Sequence, residues 1–515
     1  MTSRVVRRPI LSAAVVAVAV FAGPAGIARA QAAPATGRPV TVTRADLATA
    51  YLAFDKALTE HPPSAAQAGG ISTAFDQATL AFFAGRNADA VRAIYGVTER
   101  LIQPGGGAAS RLALRATVEP HVVRRGAAVT PILRIVPLYA SLDSATPAVA
   151  RTFEVRILSD GGRVVATQSV TVSADALPGA PIDYPLAALT KDVPRGRYRV
   201  IIAGTLADAL APSAFPSSEW FVSDDDLDAK REELVRRAAT LDTMLPEALL
   251  DAVTSFKSRV RVLTTRPSPL NITQWRTNPL ALAHDLELEF QQLVTGIDPY
   301  AHRSGSLWRV LRTPSRSIPL RTYVPVAVAR DRKPAPLLIA IHGVGGDEHM
   351  FPDALGGGLL LQLAEQYGIV VASPNGDQFT TPDDFDRLVA QMSAQVPIDP
   401  ERIWIVGHSR GAGQALALAQ SRASVVAAVA CLAGFGRVPP DTHMAPAWVA
   451  LGELDPLAAP ARLSPMVAAA QAASMGIELT VWPQAGHTTV VGRALPDAVR
   501  WLRARTLQPA VPERR

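Results

Sequence analysis

Ser409 lies at the centre of a Gly-x-Ser-x-Gly motif at residues 407–411 (GHSRG). An apolar run at 403–406 (IWIV) precedes the motif, and residues 412–420 follow it with a composition that favours a helix. This order predicts a strand, a sharp turn and a helix, with the serine at the apex of the turn. A serine hydroxyl is a weak nucleophile, so such a site must hold it beside a general base and beside donors for a developing oxyanion. The motif therefore predicts nucleophilic chemistry at Ser409.

A glycine-rich turn comes earlier in the chain, at residues 342–347 (HGVGGD), directly after an apolar strand-like run at 337–341. Glycines at such a turn let backbone N–H groups approach a site without obstruction by side chains. We assign the oxyanion donors to the backbone N–H groups of Val344 and Arg410, because the residue after the nucleophile normally supplies the second donor. A phosphate-binding loop fits less well, since the Lys-Ser/Thr pair of that motif is missing.

An acid and a base follow the serine. Asp455 comes just after an apolar run at 447–451, and of the nine histidines only His487 lies beyond that acid. The chain order serine, acid, histidine is one of the known orders of a Ser-His-Asp triad. Glu453 is the alternative acid, since residues two apart on a strand point to the same side and spacing alone does not choose between them. Asp441 is a third and more distant choice.

The remaining histidines and the cysteine have simpler interpretations. His342 and His408 belong to the two motifs, and we interpret them as structural groups or walls of the site. His349 and His443 could line a cleft, although solvated loop histidines are commoner. Cys431 is the only cysteine, so it cannot form an intramolecular disulfide, and its apolar surroundings predict a buried structural thiol. The sequence has no His-Glu-x-x-His pair and no cysteine cluster, so we expect no metal and no cofactor.

The first thirty residues have the pattern of a secretory signal. A basic start at 4–8 is followed by an apolar run at 10–21 and by a small-x-small site at 28–30. This pattern predicts cleavage near Ala30 and a secreted or periplasmic protein without stable membrane insertion after cleavage. An uncleaved membrane anchor is the alternative.

Charge and length limit the remaining classes. The formal net charge is +6, but four arginines in the first thirty residues contribute to it, which leaves about +2 for the exported chain. Such a balance does not call for nucleic acid or an anionic membrane as a partner. A length of 515 residues suggests about three domains.

The pattern of apolar residues divides the chain further. Helical spacing dominates the early part, short strands separated by turn signals follow, a second helical stretch comes next, and strands and helices alternate in the last part. The expected fold class is α/β, with a doubly wound sheet at the C-terminus preceded by a helical region and a β-sandwich-like domain. The expected segments are a signal peptide (1–30), a flexible leader (31–43), a helical region (44–103), a β-rich immunoglobulin-like domain (110–223), a helical linker region (224–300) and the catalytic domain (301–507).

Residues 305–505 resemble the α/β-hydrolase superfamily and, within it, the secreted polyhydroxybutyrate depolymerase and feruloyl esterase-like group. The resemblance is carried by residues 341–346 (IHGVGG), 396–407 (VPIDPERIWIVG) and 452–455 (GELD). One departure is present, since that group often has Asn-Gly-Gly after the serine and this chain has Arg-Gly-Ala at 410–412.

The resemblance implies that Ser409 is the nucleophile, Asp455 the orienting acid and His487 the base. It implies a secreted serine hydrolase that cleaves carboxylic esters through an acyl-enzyme and without a cofactor. Two other functions stay open, namely a prolyl oligopeptidase-like serine peptidase and an inactive cell-envelope binding protein. The oligomeric state does not follow from the sequence.

Access to the serine is a separate expectation. Only residues 434–446 separate the strand after the serine helix from the next strand, and thirteen residues are too few for a substantial lid. Unless the preceding segments fold over it, we expect Ser409 to be open to solvent and able to meet bulky or polymeric esters. We also expect no activation at an oil–water interface.

Overall fold

The computed structural model describes residues 42–103, 114–126, 129–137, 151–172, 182–186, 193–204, 206–210, 215, 218–439, 442–473 and 476–507. These residues belong to one compact unit. The expected signal peptide, all but the end of the expected leader, and Asp441 lie outside the described residues.

The C-terminal part is built around an eight-stranded sheet. The strands are numbered along the chain, and this sheet contains β9 to β16. Across the sheet they lie in the order β16, β15, β14, β13, β11, β12, β10 and β9. Strands β11 to β16 all run parallel, and β10 is antiparallel to both of its neighbours. The strand bounds are β9 Gly305–Arg312, β10 Ser317–Val324, β11 Ala335–Ile341, β12 Val370–Pro374, β13 Ile398–His408, β14 Ala428–Leu432, β15 Ala447–Gly452 and β16 Ile477–Trp482.

Helices cover both faces of this sheet, because its parallel strands are apolar on both faces. On β11, Ile339 packs into one hydrophobic cluster with α11, α12 and α13, and its neighbour Leu338 packs into a second cluster with α10 and α14. The C-terminal part is therefore a doubly wound α/β fold. The helices are α9 Val326–Asp331, α10 Leu359–Tyr367, α11 Pro382–Gln395, α12 Arg410–Ser421, α13 Pro460–Ala473 and α14 Thr489–Arg503.

Three N-terminal helices form a separate layer with its own core. They are α1 Arg44–Glu60, α2 Ala65–Phe83 and α3 Asn87–Ile102. The Thr43 side chain caps α1 by accepting the Asp46 N–H, and Phe54 of α1 stacks on Phe75 of α2 at 4.1 Å between ring centroids. Tyr51 of α1 also packs against the cluster beneath α14, so this layer is attached to the α/β domain.

Short strands follow in two sheets. One sheet has the order β1-β3-β6 and the other β2-β8-β7-β4-β5. Inward-facing residues of both sheets share one hydrophobic cluster, in which Trp220 is the largest side chain. The elements are β1 Leu114–Glu119, β2 Val122–Arg124, β3 Ile132–Pro137, β4 Arg151–Ser159, β5 Val164–Val172, β6 Ile182–Pro185, β7 Gly196–Ile202, α4 Leu206–Ala209 and β8 Glu219–Ser223. The immunoglobulin-like assignment of this region stays a prediction.

A second helical group connects the strand-rich part to the large sheet. Its helices are α5 Leu227–Met244, α6 Leu250–Val262, α7 Ile272–Arg276 and α8 Pro279–Val294. The buried Glu289 carboxylate accepts hydrogen bonds from Arg259 at 3.0 Å and from Arg303 at 2.7 Å, which ties α6 and α8 to the segment that enters β9. The domain boundaries expected from sequence stay predictions. Within the described residues, no helix is long and apolar enough to cross a bilayer.

Candidate active site

The strand and helix expected on the two sides of Ser409 are present. Strand β13 ends at His408, α12 begins at Arg410, and Ser409 between them has φ 57° and ψ −120°. A residue with a side chain rarely adopts a positive φ, so this conformation must be imposed by the surrounding structure. The Ser409 N–H donates to the Leu432 carbonyl of β14 at 2.8 Å, which helps to fix the turn.

The two glycines of the motif are required because backbone atoms pass very close to them. A Cβ atom on Gly407 would overlap the Gly411 carbonyl oxygen, and one on Gly411 would overlap the carbonyl oxygen of Ile341 in β11. The spacing of the motif is therefore a steric requirement of a tight strand-to-helix turn.

Ser409, His487 and Asp455 form one continuous chain of hydrogen bonds. The Ser409 Oγ is 2.9 Å from His487 Nε2, and His487 Nδ1 is 2.9 Å from Asp455 Oδ2. The other oxygen of Asp455 accepts the backbone N–H groups of Leu457 and Ala458 at 2.8 and 2.7 Å. With Nδ1 donating to the carboxylate, Nε2 is left to accept the serine proton.

The structure also separates the two acids that spacing could not distinguish. Asp455 follows β15, is 2% exposed and contacts His487. Glu453 is exposed, and its carboxylate accepts the Gln484 backbone N–H at 2.8 Å. Asp455, and not Glu453, is therefore the acid beside the histidine.

The two assigned oxyanion donors lie at the start of α12 and in the glycine-rich turn. Arg410 is the first residue of α12, so its N–H has no acceptor within the helix. The turn lies against the serine, since a Cβ on Gly343 would be 3.0 Å from Ser409 Cβ. Among the described residues, neither the Val344 N–H nor the Arg410 N–H has a protein acceptor. Their role as oxyanion donors stays a prediction.

The two motif histidines are buried and bonded to backbone. His342 accepts the Gly376 N–H at Nε2, at 2.7 Å, and donates from Nδ1 to the Gly343 carbonyl, also at 2.7 Å. Burial lowers its pKa. His408 contacts the His487 carbonyl at 3.2 Å, and burial together with the neighbouring His487 lowers the His408 pKa to about 3. Both are suited to supporting the turns rather than to exchanging protons at neutral pH.

The other histidines and the cysteine are not part of the hydrogen-bonded chain. His349 is buried and bonded to Thr273 at 3.0 Å and to Arg321 at 2.9 Å, and it lines the cavity described below. His443 is exposed. Cys431 is buried in β14, and burial raises the pKa of its thiol to about 12.

Asp76 is a site residue that the sequence analysis missed. It lies on α2, and its two carboxylate oxygens accept the His487 backbone N–H at 3.0 and 3.1 Å. A Cβ on Gly486 would overlap Asp76 Oδ2, so a larger residue before the histidine would have to displace this carboxylate. One helical turn earlier, the Ser72 hydroxyl donates to the Gln484 carbonyl at 2.9 Å. The available signal was Asp76 itself, which is the only charged residue of α2 and lies one helical turn after Ser72.

The N-terminal helices also cover part of the serine site, where Ser409 is half-buried. A cavity of about 180 Å³ is lined by Ser409 and His487 on one side and by residues of α1, α2, α3 and α7 on the other. The condition attached to the expected open site, that the preceding segments do not fold over it, is therefore not met, although Ser409 itself is only half-buried. The loop at 434–446 is short, as expected, but the cover comes from residues far earlier in the chain, which pack their apolar faces over the serine.

Comparisons with known proteins give partial structural matches only. No protein-family model matches the sequence, and no curated protein is similar to it. Among solved structures, a thermostable esterase matches with 17% identity and a TM-score of 0.34, over 39% of this chain and 63% of that one. A feruloyl esterase module from Clostridium thermocellum matches with 14% identity and a TM-score of 0.34, over 39% and 88%. An S-formylglutathione hydrolase from Staphylococcus aureus matches with 13% identity and a TM-score of 0.34, over 39% and 98%.

The steric role of the motif predicts opposite effects for two glycines of α12. Gly411→Ala should destabilise the protein by about 1–3 kcal/mol or more, because its Cβ would collide with β11. Gly413→Ala, two residues further along the same helix and with open space around it, should stabilise by up to about 1 kcal/mol through helix propensity. Urea unfolding of both variants measures this difference. Similar effects for the two substitutions would contradict the steric explanation.

The burial of Asp76 predicts a specific pH dependence of stability. Burial raises the pKa of Asp76 to about 7, and the nearby Asp455 adds to the rise. Between about pH 4, its ordinary value, and pH 7, the folded state then holds more of this proton than the unfolded state, so the free energy of unfolding falls as pH rises. Asp76→Asn mimics the neutral form and should remove this contribution.

Unfolding of wild type and Asp76→Asn at several pH values between 4 and 7 tests that sign. The wild type should lose stability relative to the variant by up to a few kcal/mol across the window, since one pKa unit corresponds to about 1.4 kcal/mol. Parallel stability curves, or a wild type that gains on the variant as pH rises, would show that Asp76 does not titrate in this way.

Proposed function

We propose that this chain is a serine hydrolase that cleaves carboxylic esters through an acyl-enzyme on Ser409. The observation that supports this most directly is the hydrogen-bonded chain from Ser409 through His487 to the buried Asp455. The strained serine turn and the adjoining apolar cavity support it further, because they expose the hydroxyl to a space that a substrate can enter.

In the proposed reaction, the Ser409 Oγ attacks the ester carbonyl carbon while His487 Nε2 takes the hydroxyl proton. The carbonyl electron pair moves onto its oxygen, which the Val344 and Arg410 N–H groups would then hold. As the tetrahedral intermediate collapses, His487 returns the proton to the leaving alcohol and the acyl group stays on Ser409.

Deacylation repeats these steps with water as the nucleophile. His487 takes a proton from water as the water oxygen attacks the acyl carbon, and the proton returns to Ser409 Oγ as the acid leaves. Asp455 accepts the hydrogen bond from Nδ1 throughout, which fixes the tautomer and stabilises the imidazolium that forms in each half of the reaction.

The finer resemblance to polyhydroxybutyrate depolymerases and feruloyl esterases provides substrates to test. Hydroxybutyrate oligomers and feruloyl esters represent the two activities named in that group. The covered serine favours the smaller esters over an intact polymer, since a polymer chain would have to pass the N-terminal helices to reach it.

Substitution of the three linked residues tests the proposed function. Ser409→Ala and His487→Ala should each lower kcat for p-nitrophenyl butyrate by about three or more orders of magnitude, and Asp455→Asn should cost somewhat less. Glu453→Gln is the matched control, because this second carboxylate contacts backbone and not the histidine, and it should keep most of the activity.

A fluorophosphonate that labels serine nucleophiles should add one adduct to wild type at Ser409 and none to Ser409→Ala. Full activity of Ser409→Ala would overturn the proposal. If a panel of peptides is cleaved in preference to esters, the protein is a peptidase and not an esterase. A greater loss of activity in Glu453→Gln than in Asp455→Asn would reverse the assignment of the acid.

We further propose that the enzyme is exported, on the strength of the signal-like pattern in residues 1–30. N-terminal sequencing of the protein from cell-free medium or periplasm should find a chain that begins close to residue 31. Val16→Arg places a charge in the apolar run and should trap an uncleaved protein in the cytoplasm. Full-length protein in the membrane fraction would instead support the anchor.

A further inference from the structure

We propose that the cavity between the N-terminal helices and the serine turn selects esters by a compact, uncharged apolar group of about benzene size. This group, alkyl or aryl, would lie on one side of the scissile ester bond. The inference rests on the proposed hydrolysis at Ser409 and adds to it the class of substrate.

The lining of the cavity indicates an apolar occupant. Helix α1 contributes Leu47 and Tyr51, α2 contributes Phe75 and Phe82, and α3 contributes Ile94. The same cavity reaches Ser409 and His487. A group bound among these side chains would therefore be attached to, or lie next to, the carbon that the serine attacks.

The volume sets an upper size. The cavity measures about 180 Å³, and an apolar cavity of roughly 150 Å³ is known to accept benzene. A butyl, branched alkyl or phenyl group fits within this space, whereas most of a long fatty chain would lie outside it.

The aromatic side chains that line the cavity are packed too tightly to move aside for a larger group. Phe82 lies directly against the glycine-rich turn, since a Cβ on Gly345 would be 2.5 Å from its ring. Behind it, the Phe75 ring contacts Tyr51 edge-on at 5.4 Å and Phe54 in a stack at 4.1 Å. Enlarging the cavity would separate rings that stabilise the helical layer, and packed interiors resist such changes.

The charged groups at the edge of the cavity are already paired. Arg44 donates to the Gly346 carbonyl and to Asp347, both at 3.1 Å, and Arg276 lies 3.2 Å from Asp353. A charged substrate group would have to enter without a free counterion, which is costly in an apolar space. The occupant is therefore uncharged.

Two series of esters test this proposal. In the first, the alcohol is constant and the acyl group varies: p-nitrophenyl acetate, butyrate, benzoate and palmitate. In the second, the acyl group is acetyl and the alcohol varies: ethanol, butanol, benzyl alcohol and hexadecanol. In one of the series, kcat/KM should be highest for the butyl- or phenyl-sized group and at least about tenfold lower for the sixteen-carbon chain. The series that responds shows which side of the ester occupies the cavity.

Two lining variants should move the size preference in opposite directions. Ala48→Leu adds volume to the α1 wall and should lower the benzyl-to-ethyl or benzoate-to-acetate ratio of kcat/KM about tenfold. Phe82→Ala removes a ring beside the serine and should raise the relative rate for the longest chain by a similar factor. Leu101→Ala is the control, because Leu101 is buried in the same helical cluster but does not line the cavity, and it should leave the ratios unchanged.

The outcomes separate this inference from the proposed function. Hydrolysis without size preference in either series, or lining variants whose ratios do not differ from those of Leu101→Ala, would overturn the inference while Ser409 remains the nucleophile. Fluorophosphonate labelling of Ser409 without hydrolysis of any ester would instead contradict the esterase function. A faster rate on a carboxylate-bearing ester than on its uncharged analogue would also overturn the inference.

Discussion

The hydrogen bond from the His487 backbone to Asp76 is the contact on which the arrangement of the site depends. His487 lies in a loop between β16 and α14, and its ring must face two partners at once, Ser409 and Asp455. Without contacts to the rest of the protein, a flexible loop would not hold the His487 ring in this orientation. Asp76 binds the histidine N–H, and Ser72 binds the Gln484 carbonyl three residues earlier. Helix α2 therefore binds the loop at two points, the Gln484 carbonyl and the His487 N–H.

This arrangement has an energetic cost. Two carboxylates, Asp76 and Asp455, are buried beside one histidine, and burial raises the pKa of Asp76 to about 7. Ser409 is held at a positive φ, which carries strain of its own. Stability lost at a site in this way is recovered elsewhere in a fold. Here the packed aromatic rings of α1 and α2 are among the contacts that compensate.

The sequence allowed the local parts of the site to be predicted and left the long-range parts open. The serine turn is recognisable because its strand, glycines and helix are adjacent in the chain, and their spacing follows from backbone sterics. Asp455 and Glu453 could not be separated by spacing, since the choice depends on which carboxylate meets a loop from another strand. The role of Asp76 could not be predicted, because no sequence motif marks a helix that packs against a loop from a distant part of the chain. For the same reason the access to Ser409 stayed conditional, since the length of one short loop says nothing about helices that lie hundreds of residues earlier in the chain.

The separation of Asp76 and His487 along the chain also bears on how the protein folds. The two residues are 411 positions apart, so the loop cannot be anchored before the chain as far as His487 is available. Contacts of such long range form late and slow the folding of a domain. The α1–α3 layer, made first, keeps the apolar face that will lie beside Ser409 exposed until the glycine-rich turn that contacts Phe82 has been made, and during that interval it is a surface for aggregation or for a chaperone. A chain cut before His487 would lose the base, and on α2 it would leave the Asp76 carboxylate buried without the backbone N–H group that it binds.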